Sequence, residues 1–425
     1  MRGQRHLGWL LAATLVVSMN LRLGIAAPGP VIESIRIDTG MSSGVAGLLI
    51  TIPFICMSAF AFTGPPLLRR VAPYWVVLLS LTLVGGGTLA RSVAFDPALL
   101  LLATVPIGAG IAVMGVALPV IVKEHFASRS GFVTGAYISA MSLGVIALGI
   151  FLIPLVNAVG GWRPAFALTA FPALLAIAMW IAVHRSATMP AGTNRRPHAD
   201  PVATAIPVLR PGRVEFLAAT SFGLQSMTYA GLAAWVVALY VDLGWSSGTA
   251  SLLVALMAVS VIPASLIVAS LSQNRDRRPW IAGSVAFMCV GLFGVALVPD
   301  LAAWVWIAAI GLGGGAAFAL QLALPIDIRA TPLGVARLTA WMLGLGYLLS
   351  AATPIMIGVL RDVTGGFVLP MTLLASLAAI GIGIPFLLPA PLPRAPAGSR
   401  PAGASGGESA APRRPGPQPL PGAVA

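Results

Sequence analysis

The sequence predicts an all-α membrane protein with twelve transmembrane helices in two parallel six-helix repeats, and three observations carry that expectation. Hydrophobic residues make up 58% of the 425-residue chain and charged residues 9%, against about 25% charged in an ordinary soluble domain. Apolar windows long enough to cross ~30 Å of hydrocarbon, about 20 residues each, recur twelve times. Short segments of the first half also reappear in the same order about 205 residues later.

The windows lie near 7–32, 43–64, 73–92, 97–122, 131–156, 163–183, 214–240, 248–271, 280–298, 300–324, 333–359 and 367–389. The first follows the basic start Met1 to His6 and so has the outline of a secretory signal. Asn20 and Arg22 interrupt its apolar run, however, and eleven spans follow, so it reads as a retained helix. Residues 185–212 are polar and proline-rich and read as a cytoplasmic linker between an N-terminal bundle (1–184) and a C-terminal bundle (213–389). Residues 390–425 are dense in Pro, Gly, Ala and Ser, a composition expected to stay disordered.

A net charge of +13 is also the mark of nucleic-acid binders. The distribution of the charge argues instead for topology. With the N-terminus inside, twenty of the 25 Lys and Arg residues fall on the cytoplasmic side, and only Arg36, Arg91, Arg163 and Arg361 fall outside. That bias puts both termini in the cytoplasm of a multi-pass protein in a bacterial-type plasma membrane. No nucleic-acid partner is expected.

The repeats are specific. Gly40-Met41-Ser42-Ser43-Gly44 opens span two as Gly244-Trp245-Ser246-Ser247-Gly248 opens span eight, with serines able to cap each helix. Ala117-Leu118-Pro119 ends span four as Ala323-Leu324-Pro325 ends span ten, and Gly160-Gly161-Trp162 precedes span six as Gly365-Gly366-Phe367 precedes span twelve. Six spans separate the copies, so the repeats share one orientation. Parallel repeats around a site at mid-membrane are the architecture of the major facilitator fold. Pro53, Pro106, Pro154, Pro172, Pro263 and Pro354, with the glycines of 311–315, give its helices places to bend and approach.

Arg22 is the one ionisable residue inside span one, among Gly24, Ala26, Ala27, Pro28, Gly29 and Pro30. A charge at that depth is costly unless it meets a cavity, a partner or a ligand, so Arg22 reads as a seat for a negative or strongly polar solute. The competing reading is snorkelling to the interface or pinning a neighbouring carbonyl. In span seven Ser221, Gln225, Thr228 and Tyr229 share one helical face, with Trp235 as an apolar wall. Interhelical hydrogen bonding would also account for that stripe. Gln321 and Tyr137 repeat the signal more weakly, and Asn20 offers hydrogen bonds beside Arg22.

Several functions lack the residues they need. No Asp or Glu lies deep in a span: Glu33, Asp38, Asp96, Asp242, Asp300 and Asp362 fall at the outer boundary, Glu124, Glu215, Asp276 and Asp327 at the inner one. A proton relay of buried acids therefore has no members. No nucleotide-binding Gly-x-x-x-x-Gly-Lys-Ser/Thr loop is present. Cys56 and Cys289 lie in spans as packing groups, and His6, His125, His184 and His198 have no ligand spacing. No enzyme, metal or cofactor is expected.

A family resemblance runs over about residues 15–370. Asn20-Leu21-Arg22 with Gly29-Pro30, Leu118-Pro119 with Lys123, Thr134-Gly135-Ala136-Tyr137, Gly223-Leu224-Gln225-Ser226 with Tyr229 and Trp235, and Gly344-Leu345-Gly346-Tyr347 with Arg361-Asp362 resemble the cyanate and 2-nitroimidazole permease family of the major facilitator superfamily. The resemblance implies a carrier for a small anionic or polar solute, with Arg22, Gln225 and Tyr229 at its pathway. The chain departs from the family pattern after Arg22, where proline and then a Thr-Ser pair are usual and Leu23, Ala26 and Ala27 stand, at Leu343, where glutamine is usual, and in the reduced basic loop of residues 64–70. The expected activity is alternating-access transport by a monomer. The alternatives are export of drug-like compounds on the same fold, favoured by those apolar replacements, and a membrane sensor that moves nothing.

Overall fold

The computed structural model describes residues 2–126, 130–186, 210–272 and 275–391. Its helices are α1 (Arg2–Ala26), α2 (Ile32–Thr39), α3 (Ser43–Arg70), α4 (Pro73–Ser92), α5 (Pro97–His125), α6 (Ser130–Val159), α7 (Trp162–Thr169), α8 (Phe171–Ser186), α9 (Arg213–Asp242), α10 (Ser247–Leu271), α11 (Arg278–Leu297), α12 (Ala303–Ile328), α13 (Pro332–Thr364) and α14 (Val368–Ile380). They make twelve segments long and apolar enough to cross a membrane, one for each expected window. Most of the linker 185–212 and the tail beyond Pro391 lie outside the described residues. The described chain up to Pro391 forms one compact unit.

Helix starts follow local chemistry. Asp96 accepts from the amides of Ala98 (2.7 Å) and Leu99 (3.2 Å) ahead of α5. Ser246 caps α10 through the Thr249 amide at 3.1 Å, and Thr331 caps α13 through that of Gly334, also at 3.1 Å. At α3 the Ser42 hydroxyl accepts only from the Val45 amide, and the cap that joins elements comes from far away. The Asp362 carboxylate on α13 accepts from the amides of Ser43 (3.1 Å) and Gly44 (3.0 Å).

Two spans differ from their expected form, and proline explains both. The first does not end at Ile32: α1 breaks at Ala27–Pro28, a 3-10 turn covers Gly29–Val31, and α2 carries the same apolar segment on to Thr39. Pro28 has no amide hydrogen to continue the ladder. Gly29 presses against α9 so closely that a Cβ there would sit 1.9 Å from the Ala233 carbonyl oxygen. Glu33, Arg36 and Asp38, expected at or beyond the outer boundary of the first span, are therefore on helix. The sixth span splits into α7 and α8 at Ala170, two residues before Pro172.

Two of the seams between elements before the linker and those after it are built on small residues. In the first, α3 lies against α13: a Cβ on Gly47 would come within 2.6 Å of the Pro354 carbonyl oxygen, and the Thr51 hydroxyl donates to the Ala351 carbonyl at 2.6 Å. In the second, α6 lies against α10, where the Ser251 hydroxyl donates to the Gly149 carbonyl and a Cβ on Gly149 would meet the Ala255 amide at 2.7 Å. Small residues let the backbones approach this closely in a medium that supplies no hydrophobic drive.

Candidate functional site

Arg22 lies on α1, four residues before the break, and points between the helices across from it. Its guanidinium carbon is 4.3 Å from the ring centroid of Tyr229 on α9 and 6.0 Å from that of Phe318 on α12. Both are within reach of a cation–π attraction, which is strongest where water is displaced. Among the described residues no carboxylate forms an ion pair with Arg22. The aromatic wall continues through Phe222, whose ring lies 5.9 Å from Phe318 and 5.3 Å edge-on to Tyr347, and through Phe54 on α3, 6.0 Å from Tyr347.

Polar atoms without a protein partner border this wall. The Gln225 side-chain amide donates to the Gly314 carbonyl at 3.0 Å, and that of Gln321 donates to the Ser221 hydroxyl at 3.3 Å. Each glutamine thereby uses its N–H and leaves its oxygen unbonded, and the hydroxyls of Thr228, Tyr229 and Thr353 are unbonded too. Gln225 is 5% exposed and Gln321 1%. Buried polar atoms without partners are costly. A solute carrying a negative or acceptor group for Arg22 and N–H or O–H donors for the glutamine oxygens would remove that cost.

The expected residues do not all converge. Arg22 and Tyr229 touch, and Gln225 and Gln321 line the α9–α12 seam beside them. Asn20 corrects the expectation of a hydrogen bond beside Arg22: its amide turns the other way, donating to the carbonyls of Val16 (2.9 Å) and of Pro172 on α8 (3.3 Å). Two positions along a helix differ by about 200°, so Asn20 and Arg22 face opposite neighbours. Trp235 is fully buried, and its indole N–H donates to the Pro354 carbonyl at 2.9 Å, which makes it a clasp between α9 and α13. Tyr137 is partly buried on α6, and no hydrogen bond or ring contact joins it to Arg22, Tyr229 or Gln225 among the described residues. Sequence reading missed Phe318, Phe222, Tyr347 and Thr353. Aromatic residues are ordinary in apolar spans, so only their convergence marks them.

A second polar cluster closes one end of the bundle. Arg361 on α13 donates to Glu33 on α2 at 2.9 Å and to both carboxylate oxygens of Asp242 on α9, at 3.0 and 3.1 Å. Arg36 lies 3.5 Å from Glu33 and 4.0 Å from Asp362. Among the described residues, every ion pair that joins the chain before the linker to the chain after it is in this cluster. The pairs at the other end, Arg329 with Glu215 at 2.7 Å and Arg277 with Asp327 at 2.5 Å, stay within the second half.

The family model described as Major Facilitator Superfamily matches residues 12–336. The cyanate transport protein of Escherichia coli (strain K12) is 29% identical over 392 residues, 90% of this chain and 97% of that protein. The 2-nitroimidazole transporter of the same organism is 29% identical over 381 residues, 87% of this chain and 93% of that protein. An uncharacterized transporter of Bacillus subtilis (strain 168) is 30% identical over 379 residues, 88% and 92% respectively. Two solved structures share the fold at 15% identity. A bacterial homologue of the human lysosomal transporter Spinster, inward-facing and occupied, has a TM-score of 0.74 and covers 89% of this chain and 96% of its own; a D-xylose-proton symporter has 0.68, covering 90% and 98%. Matched family, relatives and neighbours are transporters rather than enzymes, and the chain belongs to the Major Facilitator Superfamily, as a multi-pass membrane transporter resembling those for cyanate and 2-nitroimidazole.

Proposed function

We propose that the protein is a secondary transporter that moves a small anionic or polar solute by alternating access, with Arg22 as the recognition charge. The observation that supports this most is the Arg22 guanidinium itself, held against Tyr229 and Phe318 without a carboxylate partner and bordered by unbonded glutamine oxygens. The names of the two Escherichia coli relatives supply the first solutes to try, cyanate and 2-nitroimidazole. In this reading residues 1–184 and 213–389 are the two rocking bundles, both termini are cytoplasmic in a bacterial inner membrane, and one chain is the working unit. The Glu33–Arg361–Asp242 cluster then lies outside and shuts the outer mouth, while the seam near Arg22 opens inward.

Export of drug-like compounds is the second reading, favoured by the aromatic lining of Phe222, Phe318 and Tyr347 together with apolar Leu23 and Leu343. Purified protein in proteoliposomes separates these. Binding and uptake of cyanate or 2-nitroimidazole that disappear in Arg22→Ala support the first reading. Uptake kinetics unchanged in Arg22→Ala remove Arg22 from the site, preference for bulky apolar cations supports the exporter, and the absence of flux for bound solutes supports a sensor.

A further inference from the structure

Proline has no amide hydrogen, so a proline in or just after a helix leaves the carbonyl four residues earlier without its usual donor. Pro28 does this to Gly24 on α1, and Pro53 does it to Leu49 on α3. Both carbonyls accept from one side chain. Arg91 on α4 donates through Nη1 to the Gly24 oxygen at 3.1 Å and through Nη2 to the Leu49 oxygen at 3.4 Å, while its Nε donates to the Thr104 hydroxyl on α5 at 3.0 Å. Thr104 is free to accept there because it donates its own hydrogen to Leu100 at 2.9 Å. Arg91, counted by sequence to the outer end of the third span, is 2% exposed, inside the packed helices.

We propose that Arg91 is a positioning residue: it supplies the two donors that Pro28 and Pro53 remove, and so fixes the break that ends α1 four residues beyond Arg22 and, through it, the pose of Arg22 against Tyr229. Only the planar fork of a guanidinium reaches two carbonyls and a hydroxyl on three helices at once. Arg91 is not a second solute charge. The cavity beside it, bordered by Asn20, Gly24 and Thr88, measures about 10 Å³, room for at most one water.

The link to Arg22 rests on the transport reading above; the link to the prolines does not. The test uses the full chain in nanodiscs. Arg91→Met is expected to lower Tm by about 5 °C or more and to speed hydrogen exchange over residues 20–31. Adding Pro28→Ala and Pro53→Ala, which restores backbone donors to Gly24 and Leu49, is expected to recover at least half of both effects. Adding Pro154→Ala and Pro263→Ala is expected to recover neither. An Arg91→Met variant as stable as the wild type, or equal recovery from both proline pairs, overturns the proposal. Cyanate and 2-nitroimidazole are titrated separately. Their Kd is expected to rise about tenfold in Arg91→Met with the number of sites unchanged, and Arg91→Lys to regain part of it. An unchanged Kd with lost stability overturns the positioning role. If neither probe binds the wild type, the assigned cargo fails, while exchange over residues 20–31 still decides for or against the role of Arg91.

Discussion

Arg22 and Arg91 stand in the same half of the molecule, each inside an apolar helix, yet their surroundings differ in kind. Arg91 directs donors to three oxygens on three helices. Arg22 holds its guanidinium carbon 4.3 Å from the Tyr229 ring centroid and 6.0 Å from that of Phe318 and, among the described residues, forms no ion pair with a carboxylate. A buried guanidinium surrounded by acceptors belongs to the scaffold, because its charge is already answered. One held over π-faces has its charge attracted but not paired with an anion, which leaves it able to receive an anionic solute. Position inside an apolar helix marks both residues; the partner set tells them apart.

The largest effect that would sharpen this comparison is at Arg22 itself. Arg22→Ala is expected to reduce uptake of an anionic solute about 100-fold and Arg22→Lys about tenfold, both with near-native Tm, measured as initial rates in proteoliposomes. A Tm loss resembling that of Arg91→Met would place Arg22 in the scaffold and erase the distinction.

Next comes the cluster of Arg361 with Glu33 and Asp242, outer in the proposed orientation. Arg361→Ala leaves Glu33 and Asp242 without their shared cation, and is expected to raise labelling of a cysteine at Tyr347 by an impermeant reagent added outside by about threefold or more, as the population shifts by well under 1 kcal/mol for each doubling. Labelling is read in a background lacking Cys56 and Cys289. Glu33→Gln leaves Asp242 on Arg361, and Glu215→Gln disturbs only the opposite end, so counterflow in de-energised vesicles is expected to survive each. Loss of counterflow in either would give that glutamate a part in translocation and end the view of Arg22 as the one essential charge of the path.

Smaller effects test the two expected site residues that the fold turned aside. Trp235→Phe removes the hydrogen bond to Pro354 and is expected to cost about 1 kcal/mol of stability with KM unchanged. Asn20→Ala, which loses one contact inside its own helix at 2.9 Å and a longer one to α8 at 3.3 Å, is expected to cost less still, again without change in KM. A rise in KM in either variant returns that residue to the solute path.

Much of this protein was legible in its sequence. Length and hydropathy locate all twelve spans, since crossing hydrocarbon demands a long, local apolar run that backbone bonding makes helical. The lone cation of span one and the polar stripe of span seven were visible for the same reason: a polar residue stands out against an apolar background. What tertiary structure alone decided was which of these groups are already answered. The partners of Arg91 lie 13, 42 and 67 residues away, that of Trp235 lies 119 away, and that of Asn20 lies 152 away. Helical periodicity reports which residues share a face but not what that face meets. Whether Arg91 is saturated, or Asn20 turned from Arg22, follows from where other helices place their carbonyls, and proline decides which carbonyls are there to be met.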